Sequence, residues 1–458
     1  MFGEETIAAV ATAYGEGGIG IIRISGEKAK EILDRIFVTR GGAALQNRRL
    51  TYGIIKDPAS DAIVDEVLVV FMQAPNTYTR EDIAEIHCHG SIVSLRKTLE
   101  LVLRYGAQPA QPGEFTKRAF LNGRLDLTQA EAVIDLIRAK TDKGFDVAIG
   151  QLEGMLSENV KEIRNILMDL LVKITVNLDY PDEDIEEITY QKLKQSILQI
   201  NDMVEKLLST ANTGRIIREG LKVVISGSPN VGKSSLLNAL LKESRAIVTE
   251  IPGTTRDTIE EMMSIRGIPI KLVDTAGIRH TDDVIEKIGI EKSKQVFNEA
   301  DLILFMIDGS KELSSEDLEL LAYIGNRKAI VLINKIDIGK KINEHQILDM
   351  FSNYEIIDTS VIDDIGIDEL EDKIETMVYD GKLKQSEGLL ITNARHKNLL
   401  VQAAGALKDA LEMTEKREAL DFIEVDIRRC WSLLGEIIGE TVTEDIINEV
   451  FANFCLGK

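Results

Sequence analysis

The stretch Leu221–Leu240 constrains this chain more than any other. Val223, Val224 and Ile225 are β-branched and read as a short buried strand. Gly227-Ser-Pro-Asn230-Val231-Gly232-Lys233-Ser234 then fits G-x-x-x-x-G-K-[ST], and Ser235-Leu-Leu-Asn-Ala-Leu continues as an apolar helix. Strand, glycine loop and helix in that order make a phosphate cradle. Successive backbone N–H groups and the positive end of the helix meet the phosphates. Lys233 reaches the β- and γ-oxygens, and the Ser234 hydroxyl binds Mg²⁺.

The remaining length must supply other domains. At 458 residues the prior is about three of them. The net charge of −22 argues against a uniformly basic nucleic-acid coat, though it leaves room for local basic patches. Lys117-Arg118, Arg395-His396-Lys397 and Arg428-Arg429 are such clusters, and each reads as an ordinary solvated face. Cys88, Cys430 and Cys455 are too few and too scattered for a disulfide framework, which suits a reducing compartment. Glu4 and Glu5 stand where a secretory signal would be basic. No apolar run approaches the roughly 18 residues needed to cross a bilayer. A soluble, cytoplasmic, multidomain chain is expected.

Residues 1–118 read as an α+β domain. Thr6–Thr12, Gly18–Ser25, Val64–Phe71 and Ile83–His89 carry strand signals, and Gly90–Tyr105 has helical spacing. Gly15-Glu-Gly17-Gly-Ile-Gly20 satisfies G-x-G-x-x-G, but β-branched residues follow it, so it is a turn between strands and not a dinucleotide site. His87 and His89 share a strand face around Cys88 and invite a zinc reading. Without a third and fourth ligand nearby they read as half-buried strand residues.

Residues 119–216 are helical in pattern, opened by a capping box at Thr128-Gln-Ala-Glu131. Asp179–Glu187 holds a proline in an acidic run and reads as a loop. Residues 382–458 are again mostly helical. Between them, residues 217–381 alternate strands and helices in the doubly wound α/β manner. The simplest architecture is one helical domain with the α/β domain inserted; two separate helical domains are the alternative.

Within the α/β region, Asp274-Thr275-Ala276-Gly277 follows a buried strand and supplies a Mg²⁺-linked acid and a γ-phosphate-sensing glycine. Gly253-Thr254-Thr255 offers Thr255 as a switch ligand for Mg²⁺. Asn334-Lys335-Ile336-Asp337 follows another strand. The Asp337 carboxylate can accept from the ring N–H and exocyclic amine of guanine, neither of which adenine presents there, and so selects GTP. Ser360, in Thr359-Ser360-Val361, lies where a loop backing the guanine is expected. Together these motifs make a GTPase.

They resemble the translation-factor-like small GTPases. Ile278 follows Gly277 where Ras-like enzymes carry a water-positioning glutamine, so another group must orient the water. Asn230 and the loop Thr249-Glu250-Ile251-Pro252-Gly253-Thr254 are similar to those of potassium-activated GTPases. The similarity implies K⁺ ligands at Asn230, Thr249, Ile251 and Thr254, standing where an arginine finger would place its charge.

The opening strand pair, the stretch Pro112–Gly123, the region Asp274–Glu291 and Cys455-Leu-Gly-Lys458 resemble the MnmE (TrmE) family of tRNA-modification GTPases over essentially the whole length. Leu456 departs from the family's usual isoleucine. The resemblance implies a homodimer through the N-terminal domain and a 5-formyltetrahydrofolate-type donor held by Arg23, Glu81, Arg124 and Lys458. It further implies Glu286 as the catalytic glutamate positioning water, and a role for Cys455 in the modification chemistry. The implied partner is an FAD- and NADH-using MnmG-type flavoprotein, and the implied substrate is the wobble uridine of tRNA. A ribosome-assembly or RNA-binding switch of the Era or EngA type shares the nucleotide motifs and is the alternative; a KH-like module with G-x-x-G in basic surroundings would mark it.

Overall fold

Period-two alternation in the first quarter of the chain builds a seven-stranded sheet. In the computed structural model, which describes residues 5–42, 44–179, 189–243, 261–273, 297–342, 354–379 and 389–458, its strands are β1 (Ile7–Val10), β2 (Gly17–Ser25), β3 (Phe37–Thr39), β4 (Thr51–Lys56), β5 (Ile63–Met72), β6 (Ile83–Gly90) and β7 (Gln108–Pro109). Their order is β3-β4-β5-β6-β2-β1-β7, antiparallel except where β7 joins β1. The Gly15–Gly20 run leads into β2 of the β1–β2 hairpin, as a turn should. Ile22, Ile24, Val67, Val69, Ala84, Ile86 and Cys88 point to one face and are buried with the helices Ala29–Ile36 and Ile92–Arg104. Their neighbours Arg23, Leu68, Glu85 and His87 therefore point to the other face.

That second face is treated differently at its two ends. Around β1 it is covered, since Ile7 and Ala9 pack with Phe115 and Tyr78. Around β3 to β5 it carries exposed apolar side chains, Val38, Tyr52 and Leu68 among them. Helix Ala29–Ile36 and strands β3 and β4 carried no clear sequence signal, being short and broken by turns.

This sheet belongs to a unit comprising Met1–Ile137, Gln151–Asn201 and Gln402–Lys458. Its helical part centres on Met155–Asp179 and Leu420–Ile438. Leu156, Val160, Ile163, Leu167, Leu170 and Ile174 recur every three or four residues and are buried, so tertiary packing rather than propensity holds this long helix. Arg164 is buried on the same helix. It donates to the Trp431 carbonyl at 3.2 Å, stacks 4.2 Å from the Trp431 ring and pairs with Glu440. Helix Leu127–Arg138 is capped two residues earlier than the sequence pattern suggested. Asp126 Oδ1 accepts from Gln129 N at 3.0 Å, and Gln129 Oε1 accepts from Asp126 N at 3.0 Å. Asp-x-x-Gln satisfies a capping box as well as Thr-x-x-Glu does, and Thr128 and Glu131 are instead buried inside the helix.

The second unit comprises Arg138–Gly150 and Asp202–Val401. Its sheet contains β8 (Leu221–Ser226), β9 (Glu261–Ile265), β10 (Ile268–Leu272), β11 (Leu302–Asp308), β12 (Ala329–Asn334) and β13 (Glu355–Asp358). The order is β13-β12-β11-β8-β10-β9, parallel throughout except for β9. Two cores lie on its two faces. Leu236, Leu240, Leu370 and Ile374 fill one, and Leu320, Leu321 and Ile324 the other, which is the doubly wound arrangement. Helical pattern alone assigns residues 138–150 and 202–216 to the helical domain. They group with this sheet because Val147 and Ile216 are buried in its core. No helix of the described residues is long and apolar enough to cross a membrane.

Candidate functional site

The parallel strands of the second unit bring their carboxyl ends to one edge, where ligands bind in such sheets. After β8 the chain turns at Gly227, whose φ is +144° and where a Cβ would lie 2.2 Å from the Met306 carbonyl oxygen. Gly232 has φ +108°, with a Cβ position 2.4 Å from Asn334 Nδ2. Any other residue at either point would push the loop off the neighbouring strands. Helix Lys233–Glu243 begins directly afterwards, so its first N–H groups face the loop.

Lys233 donates to the Gly227 and Ser228 carbonyls at 2.6 and 2.9 Å, which holds its ammonium across the loop. Burial pushes its pKa below the ordinary lysine value, against a smaller opposing effect from Glu316. Val231 is buried, whereas Ser234 and Ser235 are exposed on the first helical turn. The hydroxyl of Ser234 is a hard oxygen donor of the kind Mg²⁺ takes. Asn230 is exposed with φ 62°, a conformation asparagine tolerates better than most residues.

The ends of β12 and β13 lie on the other side of β11 along this edge. Asn334 is buried and donates through Nδ2 to the Val231 carbonyl at 2.8 Å. Its Oδ1 accepts from Val361 N at 3.2 Å. One side chain thus ties the phosphate loop to the Thr359–Val361 loop. Ser360 Oγ donates to Asp337 Oδ1 at 2.8 Å and orients the carboxylate assigned to guanine. Lys335, at φ 67°, reaches Asp308 Oδ2 at 2.8 Å. Burial alone would raise the Asp308 carboxyl, but Lys335 and Ser310 together hold it below the usual value. Asp308 and Asp317, the latter accepting from Ser228 Oγ at 2.6 Å, were not singled out in the sequence. Their only signal was a polar residue at a strand end or a helix start.

Thr249, Glu250, Ile251, Pro252, Gly253, Thr254, Thr255, Asp274, Thr275, Ala276, Gly277 and Glu286 lie outside the described residues, as does the Asp179–Glu187 loop beyond Asp179.

A second constellation occupies the first unit. Tyr78 stands at its centre, its hydroxyl 2.9 Å from Thr116 Oγ1. The Arg23 guanidinium lies 5.6 Å from the Tyr78 ring centroid and 5.8 Å from that of Phe115, and the Arg124 guanidinium lies 4.7 Å from the Tyr78 centroid. Glu85 Oε1 accepts from Arg23 Nε at 2.9 Å and fixes the arginine plane. Glu81 Oε2 accepts from Ser25 Oγ at 2.7 Å, and Arg118 Nη1 reaches both Glu81 oxygens at 3.2 and 3.1 Å. Arg118 is therefore not the solvated basic residue expected from its sequence neighbourhood. It is buried and shared between Glu81 and Glu114.

The last residues of the chain run beneath the same place. Gly113 N donates to the Cys455 carbonyl at 3.3 Å and Phe115 N to a Lys458 oxygen at 3.2 Å, at the start of helix Glu114–Leu121. Arg23 and Arg124 thus lie against the Tyr78 ring, the Lys458 main chain meets Phe115 N, and Glu81 is tied in through Ser25 and Arg118. A carboxylate held by an arginine and a serine can accept an amide–amine edge of a heterocycle, and the two guanidiniums offer stacking and charge. Cys88 and Cys430 are buried, their thiols pushed up to about 11 and about 12 by that burial, whereas Cys455 is exposed. At the His87–His89 pair, His89 Nδ1 lies 2.6 Å from Asp65 Oδ1, and among the described residues no group of three or more His, Cys, Asp or Glu side chains is placed to hold a metal ion.

Residues 6–124 match the family model of the GTP-binding protein TrmE N-terminus, and residues 127–455 match that of the MnmE helical domain. The tRNA modification GTPase MnmE of Alkaliphilus oremlandii is 55% identical over 461 residues, covering 100% of both chains. Proteins of the same name from Clostridioides difficile (53% identical, 100% of both chains) and Bacillus subtilis (48%, 99% of this chain and 100% of that one) are similar over the same extent.

Proposed function

The chain belongs to the MnmE family of tRNA-modification GTPases, and from that premise we propose that it is a potassium-activated GTPase which modifies the wobble uridine of tRNA together with an FAD-dependent MnmG-type flavoprotein. The group added at C5 is of the carboxymethylaminomethyl type, and its one-carbon unit comes from a 5-formyltetrahydrofolate-type donor. The observation that carries this reading is the presence in one chain of two kinds of site. One is a phosphate-and-guanine edge built from Lys233, Asn334 and Asp337; the other is the Arg23–Glu81–Arg124 set about Tyr78. The full-length similarity supports it over a ribosome-assembly switch.

GTP is held by the Asn230–Ser235 loop, with Mg²⁺ on Ser234 and Thr255. Asp337 reads the base, and Ser360 orients Asp337. Thr249–Thr255 and Asp274–Gly277 complete the nucleotide site. Asn230, Thr249, Ile251 and Thr254 would hold K⁺, which would supply positive charge where it is most effective, in the transition state. Glu286 positions the attacking water in place of a Ras-type glutamine. In the first unit, Glu81 takes the amide–amine edge of the pterin while Arg23, Arg124 and Lys458 bind the remainder of the donor, and Cys455 serves the modification chemistry. The exposed apolar side chains Val38, Tyr52 and Leu68 on one sheet face support homodimerisation through the N-terminal domain, in the cytoplasm.

GTP hydrolysis measured in KCl and in NaCl at equal ionic strength tests the potassium assignment, with faster turnover expected in KCl; equal rates would remove K⁺ from the mechanism. Glu286→Ala is expected to bind GTP and nearly abolish hydrolysis, and unchanged turnover would exclude Glu286. Incorporation of label from a formyl-labelled folate into tRNA uridine, in the presence of the flavoprotein, tests the modification itself.

A further inference from the structure

Next to the Tyr78 site lies an open cavity of about 440 Å³ in which Arg48, Arg80 and Arg124 converge, with Tyr78, Met72 and Pro75 as further walls. Among the described residues, no acidic one lines it. In a chain of net charge −22, where arginines such as Arg23, Arg118 and Arg164 are paired with carboxylates, none of these three forms an ion pair among the described residues. Their contacts are to main-chain carbonyls instead, two of them on cavity-lining residues. Arg48 Nη2 donates to the Asn76 carbonyl, Arg80 Nη1 to that of Asn122 at 2.8 Å, and Arg124 Nη1 to that of Tyr78 at 3.4 Å. Three arginines thus line one cavity with no carboxylate paired to them among the described residues.

The backbone strengthens the case. Arg48 and Arg80 both have φ 60°, in the left-handed region that glycine or asparagine occupies at less cost. Two such arginines flank this one cavity, although Arg266 and Arg417 adopt the same conformation elsewhere.

The geometry points to an anion subsite that takes the γ-linked glutamyl carboxylates of a polyglutamylated folate. The assignment rests on the folate reading above and specifies which form of the donor is preferred. Tyr78 and Arg124 belong to both places, so a ligand whose pterin edge meets Glu81 passes the Tyr78 ring and carries its acidic end into the cavity. A pterin–glutamate molecule has this polarity, neutral and ring-like at one end and anionic at the other. Each added γ-glutamyl residue brings one more carboxylate, and arginine forks suit carboxylates in pairs.

Titration of the full chain with mono- and pentaglutamyl 5-formyltetrahydrofolate tests this directly. The pentaglutamyl form should bind about tenfold more tightly, the gain expected of two or three exposed charge pairs, and added NaCl should shrink the margin. Arg48→Asn combined with Arg80→Asn should bring the two affinities to near equality, since asparagine keeps the left-handed backbone while removing the charge. Retained GTP hydrolysis in that variant checks its folding. If the native chain binds both forms equally, the subsite is overturned while the folate reading stands. If it binds neither, both fall. A double variant that keeps the tail preference but loses tRNA affinity would assign the cavity to RNA phosphates and overturn the proposal.

Discussion

The side-chain amide of Asn334 donates to the Val231 carbonyl at 2.8 Å and so joins the carboxyl end of β12 to the phosphate loop. Asn334 is buried, and its oxygen is used by Val361 N at 3.2 Å. Asn334→Ala leaves a carbonyl on one side and an N–H on the other without that partner, a loss of about 1–3 kcal/mol. GDP and GTP affinities are expected to fall tenfold or more, together with that for a guanine-free triphosphate. Titration with fluorescent nucleotides measures this; a loss confined to guanine binding would show that the brace does not support the phosphate loop.

Asp337 is oriented by Ser360 Oγ at 2.8 Å. Asp337→Asn replaces an acceptor with a donor-bearing amide and should shift preference from GTP to xanthosine triphosphate by several orders of magnitude, since mismatched hydrogen bonds are poorly tolerated in such sites. Continued selectivity for GTP would contradict the guanine role.

Arg118 holds Glu81 through one Nη and Glu114 through the other, at 3.1 and 2.8 Å. Arg118→Ala leaves a half-buried carboxylate without its cation and is expected to weaken reduced-folate binding about tenfold or more. Arg118→Lys keeps the charge but loses the fork and should recover only part of it. Equal affinities in all three proteins would show that Arg118 does not position Glu81 for the ligand.

Gly457 has φ +85°, and a Cβ there would lie 2.2 Å from the Val10 carbonyl oxygen. Gly457→Ala must therefore displace the segment that carries Cys455 and Lys458. Loss of tRNA modification with GTP hydrolysis unchanged is the expected outcome; full modification activity would mean the segment need not dock here.

His89 is exposed, yet its hydrogen bond to Asp65 raises its pKa above the ordinary 6.5. Burial alone would raise Asp65, but hydrogen bonds from Ser94 and His89 bring it below its usual value. The sign for His89 is that of a group with a raised folded pKa. Its stabilising effect is complete below 6.5 and disappears as pH rises through the folded value. The melting temperature of His89→Ala should lie below the native one at pH 6 and converge with it by about pH 9. A difference independent of pH would assign it to packing.

The phosphate loop was legible because it is contiguous. The motif from Gly227 to Ser234 sets its own turn and helix start, and period-two alternation exposed β2, β5 and β6 in the same local way. The helix cap at Asp126 was misplaced by two residues because two capping patterns overlap there, and only the hydrogen bonds choose between them. Arg118 read as a surface residue because Glu81, which buries its charge, lies 37 residues away. Arg48 and Arg80 carried no signal at all, since each contributes to the cavity through a turn that brings distant segments together.

By itself the sequence determined the chemistry, namely phosphate, guanine and the family to which the chain belongs, because those features depend on residue type and short spacing. Tertiary structure alone decided which side chains share a site. Tyr78 joins Arg23 to Arg124, and Asn334 joins Val231 to Val361, through the register of strands that are remote in sequence. No local pattern encodes that register; it follows from burying one face of each sheet.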